Sequence, residues 1–95
     1  MPKGYWIARI DVHDPESYKQ YIEAGQAAYA RYNAKFLVRS GKCDAVEGEG
    51  RSRNVVIEFA SFAEAQACYH SPEYAKARPF RQKASIGEIL LVEGV

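Results

Sequence analysis

The chain contains a hidden repeat. Gly4 to Val12 reads as a strand and runs into Asp14-Pro15-Glu16, a helix start. An offset of 47 residues brings a second strand, Asn54 to Phe59, running into a second helix start, Ser61-Phe62-Ala63-Glu64. Asp11 and Glu58 are then equivalent strand positions, and Asp14 and Ser61 equivalent caps. Such a repeat calls for two βαβ halves.

Periodicity fills in the elements. Trp6, Ala8, Ile10 and Val12 share one face of the first strand, and Tyr5, Ile7, Arg9 and Asp11 the other. Asp14 is a good N-cap, and Pro15 sits at the first helical position, where its missing N–H costs nothing. The helix is predicted to run to about Tyr32, with Tyr18, Tyr21, Ile22, Gly25, Ala28, Tyr29 and Tyr32 as its apolar stripe and Asn33 as its left-handed stop. Lys35 to Arg39 is the second strand. Ser40-Gly41 reads as a bulge or bend, Cys43 to Glu47 as a continuation, and Gly48-Glu49-Gly50 as the tip of a hairpin. Val55, Ile57 and Phe59 share one face of the third strand, and Asn54, Val56 and Glu58 the other. Ser61 and Glu64 form a capping box, and the helix behind it turns Phe62, Ala65, Cys68 and Tyr69 inward. Ser71-Pro72 restarts a short helix, which Pro79 interrupts before Phe80-Arg81. Glu88 to Glu93 is the last strand.

The order β-α-β-β-α-β predicts a single domain over residues 1–95: a ferredoxin-like α+β sandwich with a four-stranded antiparallel-type sheet and helices on one face. The two equivalent strands are expected side by side at its centre, running parallel.

Bulk properties narrow the partners. Thirteen basic and 12 acidic residues are interspersed, so no basic stripe marks a nucleic-acid binder. No apolar run approaches a membrane span, and the first residues lack a secretory core, so a cytoplasmic location is expected. Cys43 and Cys68 read as free thiols. A chain this short buries only about 60–65% of its unfolded surface, which makes a partner subunit a natural second source of burial. The helix-free face carries Ile7, Arg9, Val56 and Glu58. It is too apolar for water and too charged for a monomer core. A homodimer through this face is expected, with Arg9 or Arg39 paired to Glu58 or Asp11.

Gly4-Tyr5-Trp6-Ile7-Ala8-Arg9, Asp14-Pro15-Glu16 with Tyr18, Phe36-Leu37-Val38-Arg39, Val46-Glu47-Gly48-Glu49-Gly50, Arg53 to Phe59, Cys68-Tyr69, Ser71-Pro72-Glu73-Tyr74 and Val92-Glu93-Gly94 stand in register with a known pattern. Over essentially its whole length the sequence resembles the domain-of-unknown-function family numbered 1330, within the dimeric α/β-barrel superfamily. The resemblance implies a ferredoxin-like protomer whose sheets pair face to face. The wider superfamily includes cofactor-independent monooxygenases acting on aromatics, lactone isomerases, haem enzymes and proteins without known catalysis. His13, at a strand–helix turn, and His70, at a helix end, are poor haem ligands.

No G-x-S-x-G and no Gly-rich phosphate loop appears, and neither a cofactor nor a metal is expected. Asp11 and Glu58 read as interface ion-pair partners ahead of general bases. The candidate site lies where the Ser71 helix start meets the sheet, a place for a small anionic or carbonyl ligand. Arg39 and Arg81 would supply charge, and Trp6, Tyr18 and Tyr74 aromatic walls. Two functions fit: a cofactor-independent enzyme, monooxygenase- or isomerase-like, on a small aromatic or carbonyl-bearing molecule, or a non-catalytic ligand-binding or dimeric interaction module.

Overall fold

A computed structural model describes residues 2–95. The elements are β1 (Gly4–Val12), α1 (Pro15–Arg31), β2 (Lys35–Arg39), β3 (Arg53–Phe59), α2 (Phe62–Tyr69), α3 (Pro72–Ala84) and β4 (Ser85–Glu93). The four strands form one sheet in the order β2-β3-β1-β4, every neighbouring pair antiparallel. The equivalent strands β1 and β3 are adjacent, as the repeat requires, but they run in opposite directions, with Ile7 opposite Val56. The expected parallel pairing is corrected by the hairpin between β2 and β3. Each βαβ half leaves a gap one strand wide, and the first strand of the other half fills that gap after the hairpin has reversed the chain.

Both predicted caps form. The Asp14 carboxylate accepts from the Ser17 N–H, and the Ser61 hydroxyl from the Glu64 N–H. Helix α1 ends at Arg31 with Tyr32 as its cap, and Asn33 follows in the left-handed region at a φ of 53°. The Ala34 N–H returns to the Tyr29 carbonyl at 2.9 Å and the Asn33 N–H to Ala30, closing a Schellman turn.

Three details depart from the sequence pattern. Residues 43–47 are exposed coil and do not extend β2. Helix α3 continues through Pro79 for 13 residues. Pro79 and Ala75 both sit on its exposed side, so the hydrogen bond that proline forfeits faces water. Strand β4 begins at Ser85, three residues early, because β1 offers partners as far as Val12.

The helices cover the face that carries Ala8, Ile10, Val55, Ile57 and Phe59. Trp6 lies at the centre of this core, 1% exposed, with its indole N–H donated to the Ala65 carbonyl at 2.8 Å. On the opposite face Leu90 and Ile86 are 54% and 63% exposed. There Arg51 bridges Asp11 and Glu88, each at 2.8 Å. This corrects the expected use of Asp11: its carboxylate is already held within the protomer, also accepting from the Ser52 N–H. The backbone bond from Ser52, with Arg51, keeps its pKa below the usual value.

Two outcomes follow from this packing. A Cβ at Gly4 would collide with the Ser61 carbonyl and the Phe62 Cα, both backbone atoms. Gly4→Ala should therefore destabilise the fold by about 1–3 kcal/mol, the cost of overpacking a rigid site, read as a lower urea midpoint. Cys43 is exposed, whereas Cys68 is buried with its thiol pKa pushed up to about 12 by burial. Thiol titration should find one reactive group in the native protein and two after denaturation.

Candidate functional site

A cavity of about 770 Å³ lies between α1 and the sheet. Its floor is Trp6, Ala8 and Ile10 of β1, Val55 and Ile57 of β3, and Phe36 of β2. Its roof is the inward stripe of α1, Tyr18, Tyr21, Ile22 and Tyr29, and Arg81 of α3 closes one side. Four of the six predicted site residues line it: Trp6, Tyr18, Arg39 and Arg81.

Ser71 and Tyr74 are not among the lining residues. The Ser71 hydroxyl donates to the Cys68 carbonyl at 2.7 Å and accepts from the Tyr74 N–H at 3.1 Å. It is a filled cap at the α2–α3 junction, so the helix start named in the sequence lies outside the cavity between α1 and the sheet. Tyr74 is fully buried behind the wall. Its hydroxyl bonds the Tyr21 hydroxyl at 2.9 Å and accepts from Arg81 Nε at 3.3 Å.

Arg39 reaches the cavity through a bulge. Phe36 pairs with Ile57, but the register then slips, so that Val38 faces Val56 and Arg39 faces the buried Val55. The extra residue turns Arg39 to the helix side. Its guanidinium stacks over the Phe36 ring at 3.9 Å. Simple alternation from Phe36 would have sent it to the helix-free face.

Sequence reasoning missed Arg53 and the hydroxyl chain. Arg53 lines the cavity, donates to the Tyr18 hydroxyl at 3.1 Å, and stacks over that ring at 5.2 Å. The signal was available: Arg53 lies two residues before Val55, on the same strand face. Tyr29, Tyr21 and Tyr74 form a chain of hydroxyls ending on Arg81, with 3.3 Å between Tyr21 and Tyr29. Helical spacing marked Tyr21 and Tyr29 as apolar stripe and Tyr74 was named as an aromatic wall, but nothing signalled that their tips meet.

Burial sets the electrostatics. It raises the pKa of Tyr21 well above 10.0, helped by Tyr29 and Tyr74. Burial likewise raises Tyr29, and also Tyr18 and Tyr74, where the neighbouring groups, Arg53 for Tyr18 and Tyr21 with Arg81 for Tyr74, pull the other way. All four phenols are neutral donors at pH 7. No Asp, Glu, His or Cys is among the lining residues. Among the described residues no group of three or more His, Cys, Asp or Glu is arranged to hold a metal.

The model of the family with the description "Domain of unknown function (DUF1330)" matches residues 3–95. The chain belongs to this family. None of the curated proteins matches the sequence. Among solved structures, the DUF1330 chain is similar to a protein of unknown function from Rhodopseudomonas palustris, at 15% identity and a TM-score of 0.80, covering 99% of this chain and 83% of that one. It is also similar to SnoaB, a cofactor-independent oxygenase from Streptomyces nogalater, at 15% identity and a TM-score of 0.65, covering 97% and 92%. A dimeric ferredoxin-like protein of unknown function from Thermobifida fusca gives 16% and 0.63, covering 99% and 92%. At these identities the likeness establishes the ferredoxin-like fold.

The tyrosine cluster makes a pH prediction. A phenol whose folded pKa is raised contributes stability that is whole below the ordinary value of 10.0 and is lost as pH rises from there towards the native value. The urea midpoint should fall above about pH 10. Tyr21→Phe, which removes a phenol that burial raises well above its ordinary value, should show a shallower fall between pH 9 and 11.

Proposed function

We propose that this DUF1330 protein takes a small aromatic or carbonyl-bearing molecule into the cavity between α1 and the sheet and acts on it without a cofactor, in the manner of a monooxygenase or isomerase. The observation that carries the reading is the cavity itself: an aromatic-walled space of about 770 Å³ into which guanidinium and phenol groups converge. Apolar pockets with a few converging polar groups are the usual form of small-molecule sites. SnoaB, which shares the fold, is described as a cofactor-independent oxygenase.

The lining limits the chemistry. With no carboxylate or imidazole and only neutral phenols, the pocket has no general base at pH 7. A suitable substrate is a carbon acid that ionises readily, its enolate held by the arginines. For oxygenation at an activated CH2, one O2 converts the CH2 to C=O and releases one water, and the substrate supplies all four electrons. The absence of a base equally favours the second reading, in which the pocket binds and does not turn over. The discriminating measurement is oxygen uptake with an enolisable fused-ring aromatic ketone, beside native mass spectrometry of the same mixture. Oxygen uptake in step with ketone loss, abolished by filling the cavity with Ala30→Trp, supports the enzyme. An intact ketone retained on the protein supports the binder, and no interaction in either assay rejects both.

We also place the protein as a cytoplasmic homodimer paired through the helix-free sheet face. Ile7 and Val56 lie opposite each other there beside exposed Leu90 and Val92, an apolar patch with Arg9 and Glu58 around it. Light scattering should give twice the chain mass at micromolar concentration. Val56→Glu, which puts an unpaired charge into that contact, should give the monomer mass with the fold retained.

A further inference from the structure

Five of the seven arginines fall into two groups, while Arg9, which donates to the Glu49 carbonyl, and Arg78, which lies over the Tyr69 ring, belong to neither. Arg31 and Arg51 are paired with carboxylates on the surface, Arg31 with Glu73 at 2.9 Å and Arg51 with Asp11 and Glu88. Arg39, Arg53 and Arg81 all line the cavity, and among the described residues none of them has a carboxylate partner. No acidic residue lines the cavity to balance them.

Arg81 is the extreme case. It is 9% exposed, and its guanidinium makes one hydrogen bond among the described residues, from Nε to the Tyr74 hydroxyl at 3.3 Å. The two terminal amino groups have no protein acceptor. Yet no buried side-chain nitrogen among the described residues lacks a partner, so these groups keep some open surface, and Arg81 is one of the residues that line the cavity. Burying a charge without a counter-charge is costly. The planar fork of a guanidinium matches a two-oxygen anion. The Tyr74–Tyr21–Tyr29 chain fixes Nε from behind, which leaves the two amino groups to face a ligand.

We propose that the ligand is an aromatic anion whose carboxylate, sulfonate or enolate oxygens are held by the two terminal amino groups of Arg81, with the aromatic rings against Trp6 and Phe36 and with Arg39 and Arg53 adding positive charge to the same space. This rests on the pocket reading above and specifies the charge and the seat of the ligand.

Two fluorescent probes with the same ring system test it. 8-Anilinonaphthalene-1-sulfonate carries the anion, and N-phenyl-1-naphthylamine lacks it. The wild-type protein should bind the sulfonate more tightly by about tenfold or more, the scale of a charge-assisted hydrogen bond. Arg81→Gln should bring the sulfonate down to the affinity of the neutral probe and leave the neutral probe unchanged. Tyr74→Phe, which keeps the guanidinium, should retain the preference. Equal wild-type affinities overturn the inference while the pocket reading stands, as does a sulfonate preference that survives in Arg81→Gln. Binding of neither probe overturns both. The wild-type comparison needs no variant, so it decides even if Arg81→Gln does not fold.

Discussion

The Trp6 indole is the point on which the helical layer depends. It donates to a carbonyl of α2 at 2.8 Å. Its ring meets Tyr74 of α3 at 4.9 Å, Tyr69 of α2 at 5.7 Å and Tyr29 of α1 at 5.8 Å, each edge-on. Phe59 of the neighbouring strand packs beside it at 5.5 Å. One side chain from the central strand thus fixes three helices over the sheet. Edge-to-face pairs contribute about 0.5–1.5 kcal/mol each beyond burial, and their geometry is directional, so the helices are oriented as well as held. A rigid aromatic wall of this kind explains how a chain of 95 residues keeps an open cavity beside its core.

The polar groups of that cavity are arranged against the usual logic of a core. Phenol tips meet one another instead of water, and burial raises their pKa above the ordinary value. Arginines enter from β2, β3 and α3 without acids to meet them. A purely structural core of this size would be filled with aliphatic side chains at lower cost. The arrangement is suited to hydrogen-bond donation, since every phenol and guanidinium present can donate and no ionised acid is present to accept. It is correspondingly poor at removing protons.

The two faces of the sheet divide the labour. One face supports the cavity. The other exposes Leu90, Val92 and Ile86 beside the Asp11–Arg51–Glu88 cluster. Because successive strand residues alternate between the faces, Trp6 and Ala8 build the pocket while Ile7 and Arg9 build the exposed surface. A one-residue slip in register exchanges these roles, and Arg39 is where this happens.

The architecture could be read from local signals. Caps such as Asp14 and Ser61, the αL stop at Asn33 and the alternation of β1 and β3 each depend on a few neighbouring residues and on backbone geometry, and all were realised. Family membership followed from the same residues in order. Aromatic and basic candidates could likewise be named one at a time. Their grouping could not. Tyr74 and Arg81 lie seven residues apart, Tyr21 and Tyr74 fifty-three, and no periodicity reports a meeting over such a separation. The direction of β3 beside β1 depended on the hairpin closing into the gap of the other half. The side of the sheet on which Arg39 lies depended on a bulge, set by how Phe36 and Val38 pair with their partners and not by β2 alone. The sequence by itself determined the elements, their ends and their apolar faces, because these are short-range properties of the backbone. Only the tertiary structure decided that three arginines share one cavity and that Ser71 has no part in it, because both result from packing between elements distant in the chain.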